Sequence, residues 1–474
     1  MARNLHSIQR VLFEIDTHSM LMANSFKNSL AVFLQDEVVP VLEKQFDLIE
    51  SIGNKIVQIE KLEISIQSNT WENDSIFSKN DIKNQIEKEI QKALNELQKT
   101  TTNKEEKESK IETISPEDKE LKTLLYFIEN GSMPWWVSKE DEIDFFKKIN
   151  FENLKNDVFK IQFRNLIQQK KVQKRIIDQF ANKEIVLFTS VLLDSEAQQK
   201  MLSKTPLLQL LNKKSYEFKS LFWQLIFDVS NEKKPMDLVF FYHQKRAEFS
   251  SVKMSFELFI QNLKAFFPLN ASADELTKMN DNYLNSEKVK SAVKPESTIE
   301  NPKIEAEKIN SESCYVQNAG LIILHPFFKE LLKSCGLMGD SNTLLNKELA
   351  AHILHYAATK RENDYEHTML FEKFLCGIPL HQSIQREVKI EELHKQQVEE
   401  MLASALLHWS ALKNTSTGVL RSEFLQREGK LDWSESNPKL TIERKTQDLL
   451  LEKIPWNITI VKIPWIEKLI YTQW

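Results

Sequence analysis

Glycine is scarce in this chain: eight residues in 474, where average usage is about 7%. So thin a supply argues against a turn-rich α/β enzyme and against loops that cradle phosphate. No Gly-x-Gly-x-x-Gly fingerprint or Walker-type loop occurs, and no Gly-x-Ser-x-Gly elbow presents a nucleophilic serine. Cysteine is rarer still, with only Cys314, Cys335 and Cys376. An odd count without a Cys-x-x-Cys pair predicts free thiols in a reducing compartment. No apolar run approaches the roughly 20 residues that a membrane helix requires. Arg3, His6, Arg10, Glu14 and Asp16 interrupt the apolar positions near the start, which is unlike a secretory signal. The expectation is therefore a cytoplasmic protein without stable membrane insertion. A net charge of -5 supplies no clustered positive field for nucleic acid.

What the chain does have is phenylalanine, 28 residues of it, and long stretches of helical periodicity. Its length exceeds one ordinary core, so several domains are expected. Residues 1–68 read as a small α+β unit. Val11, Phe13 and Ile15 alternate, as do Val57 with Ile59 and then Leu62, Ile64 and Ile66, the period of half-buried strands. Between them Phe26, Leu30, Phe33 and Leu34 fall at helical spacing, and Pro40 opens a second helix through Ile49. The terminal strands are expected to pair. Residues 69–118 carry Ile82, Ile86, Ile90, Leu94 and Leu97, one apolar residue per turn, which suits a single exposed or coiled-coil-like helix. From Thr100 to Glu117 the apolar content fades into a charged linker.

Residues 119–275 predict a helical array, with segments near Ile161–Ile167, Ile176–Phe180, Ile185–Leu193, Leu207–Leu211, Phe218–Phe227 and Phe256–Phe267. A second linker, 276–312, holds Pro295 and Pro302 among Asn, Ser, Lys and Glu. A C-terminal α+β domain, 313–474, follows, with main helices at Leu344–Tyr356 and Val398–Leu412. Strands are expected at Leu440–Ile442 and Ile458–Ile463, with a helix at Thr446–Lys453 between them. The fold class is mainly α with small α+β terminal domains, multi-domain, with a helical middle array and charged linkers.

Few constellations suggest chemistry. His352 and His355 stand three apart on a predicted helix and can share a face, but no third ligand of matching spacing and no His-Glu-x-x-His accompanies them. They read as packing or capping residues. Cys376 in Cys376-Gly377-Ile378-Pro379 has Lys373 nearby in sequence, which alone does not make the electropositive niche a reactive thiol needs. No carboxylate pair stands out as acid and base. Neither a catalytic residue nor a cofactor or metal is expected. Trp135, Trp136, Trp456, Trp465 and Trp474 are the candidate partner-binding residues, since tryptophan is enriched at interface hot spots; the competing reading is a core stapled by large aromatics.

The densest motifs lie toward the C-terminus. Asn318-Ala319-Gly320-Leu321-Ile322-Ile323-Leu324-His325-Pro326-Phe327 resembles the N-A-G-L-hydrophobic-H-P-F signature of contractile injection system tape measure proteins. Ala350–Tyr356, Glu372–Leu380, His408-Trp409 with Leu412–Ser416, Leu420–Arg427 and the Ile-Pro-Trp segments at Ile454–Trp456 and Ile463–Trp465 resemble that family too. So do His6-Ser7-Ile8 through the Ile59–Ile66 strand, and Tyr126–Gly131 running into Pro134-Trp135-Trp136. Ordered motifs in series are more specific than any one of them.

This resemblance implies a part of a phage-tail-like particle, in which a contracting sheath drives an inner tube through a target membrane. A tape measure protein would template tube length during assembly, with inner-tube and baseplate subunits, and other copies of itself, as partners. In one continuous helix the chain would span roughly 700 Å at about 1.5 Å per residue. Yet Pro134, Pro206, Pro268 and Pro326 break it, and only residues 76–98 read as an uninterrupted rod. Two rival readings stand beside length-setting: an assembly chaperone, cap or baseplate adaptor of the same particle, and a metal-dependent enzyme using His352 and His355.

Overall fold

The computed structural model describes residues 6–9, 11, 12, 30, 32–49, 56–59, 62–65, 79–102, 111–193, 205–231, 238–251, 253–266, 273–290 and 313–474. They fall into two compact units, Met1–Leu124 with Pro134–Asn153, and Leu125–Met133 with Leu154–Trp474. The architecture is mainly helical with small strand-bearing parts.

In the first unit, a π turn at Leu34–Val38 runs directly into helix α1, Val39–Ile49. Pro40 thus lies just inside a helical stretch and does not open a new one. It has no N–H to give, and the wide turn sits immediately before it. Strand β1, Ile56–Ile59, pairs antiparallel with β2, Ile111–Ile114, matching Ile56 to Ile114 and Ile59 to Ile111. The charged linker expected there therefore contains a strand. Helix α2, Lys79–Thr102, is the predicted rod, but it is not solitary. Ile86, Ile90 and Leu94 are buried with Val38 and Val41, so α1 covers the stripe. Each such side chain stabilises by about 1.5–3 kcal/mol on burial. Lys44–Glu87 at 2.9 Å and Lys83–Glu37 at 3.0 Å flank the contact. The expected alternation through Phe13 and Ile15, the helical spacing at Phe26 and the strand end at Ile66 lie outside the described residues. Helix α3, Pro116–Asn130, begins in the first unit and ends in the second; α4, Lys139–Lys148, lies in the first and is capped by Ser138, which accepts from the Asp141 amide.

The second unit begins with the helical array. It comprises α5 (Asp157–Leu166), α6 (Lys170–Gln179), α7 (Asn182–Leu192), α8 (Thr205–Asn212), α9 (Tyr216–Asn231), α10 (Leu238–Gln244), α11 (Arg246–Ser251), α12 (Phe256–Phe266) and α13 (Ala273–Lys290). The phenylalanines fill it: Phe159 stacks on Phe163, Phe163 on Phe188, and Phe188 meets Phe180 edge-on with centroids 5.0 Å apart. A second cluster gathers Phe241, Tyr242, Phe249, Phe256 and Phe259. Residues 276–290, expected as linker, are the greater part of α13. Its inner face uses Leu276 and the buried Asn280, which meets His243 Nε2 at 2.9 Å, while Tyr283 stacks on the same imidazole. A polar residue doing core duty hides the apolar stripe.

The chain then enters a five-stranded sheet in the order β3-β4-β5-β7-β6. The strands are β3 (Ser313–Val316), β4 (Gly429–Asp432), β5 (Lys439–Ile442), β6 (Ile460–Val461) and β7 (Ile470–Gln473); all neighbours are antiparallel except β5 and β7. The period of two puts Val316, Leu431, Leu440, Ile442, Val461 and Ile470 inside, and leaves Tyr315, Lys430, Thr441 and Tyr471 outside. Against the inner face pack α14 (His325–Ser334), α15 (Lys347–Thr359), α16 (Leu370–Leu375) and α17 (Glu392–His408). The predicted helix at Thr446–Lys453 is a 3-10 helix.

Candidate functional site: a buried polar seam

The Asn-Ala-Gly-Leu motif organises the sheet end of the C-terminal core. Asn318 takes the left-handed conformation, φ 56°, which asparagine tolerates better than most residues. Its amide donates to Glu372 Oε1 at 2.8 Å and to the Thr368 carbonyl. The Ala319 amide donates to the Arg427 carbonyl. A Cβ on Gly320 would stand 1.7 Å from the Phe424 carbonyl oxygen, so only glycine fits. Leu321 to Leu324 are wholly buried, and Pro326 sits in the first turn of α14. His325 Nδ1 meets the Ile322 carbonyl at 3.1 Å. The motif is a packing device.

Helix α6 carries two buried charges, Arg175 and Asp178. Its residues from Val172 to Gln179 are all buried except Lys174. Arg175, with no exposed surface, donates through Nε to Glu366 Oε1, through Nη1 to the Ile128 and Glu129 carbonyls, and through Nη2 to the His381 carbonyl at 2.6 Å. Glu366 Oε2 accepts from Lys373 Nζ at 2.9 Å, and Lys373 also donates to the Leu380 carbonyl. Burial lowers the Lys373 pKa, while the adjacent Glu366 charge opposes that shift. Gly131, at φ +76°, lets the pair close: a Cβ there would come within 2.8 Å of Glu366 Oε1 and 2.9 Å of Arg175 Nε.

The same helix reaches further. Gln179 Nε2 donates to the Ile384 carbonyl at 2.7 Å, and its Oε1 accepts from the Glu366 amide at 2.8 Å. The Asp178 carbonyl accepts from the Arg386 amide at 2.9 Å. Its carboxylate accepts from Ser383 Oγ, from the Tyr216 hydroxyl and, at 2.6 Å, from Lys174. Burial and then the Asp178 charge push the Tyr216 phenol far above its ordinary pKa. Buried ion pairs add little net stability because desolvation offsets their attraction, but they fix one partner against another. Ser383 and Tyr216 both spend their hydroxyls on the Asp178 carboxylate, so the arrangement positions the segments that carry them.

A second cluster surrounds His355. Its Nδ1 meets Glu372 Oε1 and its Nε2 meets Asp364 Oδ2, both at 2.9 Å. Burial disfavours the imidazolium, but the two carboxylate hydrogen bonds and charges outweigh it and raise its pKa to about 9. His352, one helical turn earlier, bonds the Gln385 carbonyl through Nε2 at 2.7 Å, and burial pulls its pKa down to about 4. The two rings share a helix but not a site. With both nitrogens engaged by carboxylates, His355 has no lone pair for a metal, and among the described residues no group of three or more His, Cys, Asp or Glu could hold one. Cys376 is fully buried, which raises its thiol pKa; burial also raises Cys335 to about 11 and Cys314 to about 12. They are thiols, not thiolates, at neutral pH.

The predicted tryptophans fall in both units. Trp456 donates to the Ile323 carbonyl and meets Phe327 edge-on, while Trp465 donates to the Leu375 carbonyl, each bond 2.8 Å. Trp474 packs on the same core. In the first unit Trp136 donates to Thr123 Oγ1, and Trp135, 40% exposed, lies edge-on to it. Sequence reasoning passed over Arg175, Asp178, Glu366 and Ser383. Their signal is faint: Arg175 and Asp178 interrupt Val172, Ile176 and Ile177 on one short helix, and Glu372-Lys373 interrupts Leu370-Phe371 and Phe374-Leu375.

Fold and sites together define a mainly helical, multi-part protein whose interior charges hold segments in register. The chain belongs to the contractile injection system tape measure protein family, whose model matches residues 5–474. No curated protein and no solved structure matches it. Among the described residues no helix is long and apolar enough to cross a membrane.

Proposed function

We propose that this chain is a non-enzymatic assembly protein that sets inner-tube length in a contractile injection particle. The observation that carries this reading is the family match over residues 5–474, which takes in the strand-bearing parts and the helices between them. Inner-tube and baseplate subunits are its partners, with self-association during cytoplasmic assembly. Trp135, the most exposed of the candidate tryptophans, is the anchor we place at such a contact, with Trp136 bracing it from behind.

A second reading, an assembly chaperone, cap or baseplate adaptor, is favoured by one observation. The longest described helix is α2, with 24 residues, about 36 Å of rise, and its apolar stripe is covered by α1. No described element is a free-standing ruler. Deleting residues 76–116 would remove that core layer and β2, so the cleaner experiment lengthens the polar stretch 291–312 in frame, in steps. Electron microscopy of the particles should then show tube length rising with each step. Particles assembled at an unchanged length across the series would sink length-setting in favour of the adaptor.

A further inference from the structure

We infer that residues 313–474 are a separately closing body, docked on α6 by the polar seam, and that this seam opens and recloses while the cores on either side stay folded. Two observations carry it. The hydrophobic cluster of the C-terminal part draws its buried members only from positions between Val316 and Ile470, and its partly buried members from Cys314 to Trp474. Among the described residues the array contributes none of them. That core is complete without the helices it leans on.

Hydrogen bonds and ion pairs run all along the contact between the two: Arg175 to Glu366 and to the His381 carbonyl, Gln179 to Ile384 and Glu366, and Asp178 to Ser383 and Arg386. Its apolar share includes Tyr365 set against Phe127 and Phe180, with ring centroids 6.2 and 5.9 Å apart. When an apolar core opens, nothing in water replaces its contacts. When this seam opens, each charged group recovers hydration that offsets the bonds it loses. The cheapest way to part this molecule within its second unit therefore runs along α6, and local opening of that kind costs less than global unfolding.

Two backbone amides report on it directly. Glu366 N–H bonds Gln179 Oε1, and Arg386 N–H bonds the Asp178 carbonyl; both acceptors lie across the seam. Hydrogen exchange on the full chain, followed through low denaturant concentrations, should show both amides exchanging at least about tenfold faster than amides inside α9 and α15. The two should share one denaturant dependence although they belong to different segments. Exchange at the core rate, or unrelated dependences at Glu366 and Arg386, overturns the inference. The variant Gln179→Ala removes two hydrogen bonds across the seam, so it should speed Arg386 by roughly another tenfold to a hundredfold and leave α9 and α15 unchanged. Equal acceleration in those helices would mean a single cooperative body and would also overturn it. Should Gln179→Ala fail to fold, the comparison within the unaltered protein decides the matter alone.

Discussion

Glu372 is wholly enclosed and shares one oxygen between Asn318 and His355, so the charge on that histidine is part of the fold. Its raised pKa, about 9, means a stabilising contribution that is complete below the ordinary histidine value near 6.5 and is lost as pH rises through 9. His352 has the opposite sign. With its pKa held at about 4, its contribution is present above about 6.5 and lost as pH falls through 4. Ring-proton titration by NMR should find one histidine near 9 and another near 4; both near 6.5 would refute the pairing. Glu372→Gln should bring the upper titration down and flatten the alkaline loss of stability. Arg175 gives a harsher test. Arg175→Met leaves Glu366 buried against Lys373 alone, and removing one partner of a buried pair typically costs about 3–5 kcal/mol. A denaturation midpoint equivalent to less than about 1 kcal/mol of loss would show that Glu366 rehydrates locally.

At the level of elements, fit is decided by close backbone approach and by which stripe is covered. Gly320→Ala must push the Phe424 carbonyl away from a Cβ that would otherwise sit 1.7 Å from it. Overpacking usually costs about 1–3 kcal/mol, and this contact belongs at or beyond the upper end. A thermal shift near zero would mean that the Leu420–Arg427 segment moves freely. Ile90→Ala in α2 should cost about 2–5 kcal/mol if α1 covers it as described, whereas an exposed rod would hardly notice. Much of this was legible. One apolar residue per turn located α2, and the alternation at Val57 and Ile59 located β1. What covers each was not, because the partner is remote in sequence. β2 is four residues within a charged run, and α13 uses Asn280 where a stripe would show leucine. The seam was invisible for a plainer reason: Arg175 and Asp178 on a short helix look the same whether water or Glu366 and Ser383 faces them.

For the whole molecule, the slope of the lengthening series says more than its sign. If one chain spans the tube, every inserted residue adds about 1.5 Å when helical and about 3.3 Å when extended. Twenty added residues would then lengthen the tube by roughly 30–66 Å, a change visible in a population of particles. A chain that measures while folded as described contributes far less per residue, because added sequence loops out at a surface and its end-to-end distance grows only as about the square root of its length. A slope within the rod limits would therefore require the helical array to be drawn out during assembly. A slope near zero with normal particle yield would assign tube length to another component. It would leave this chain the adaptor role that the covered stripe of α2 favours.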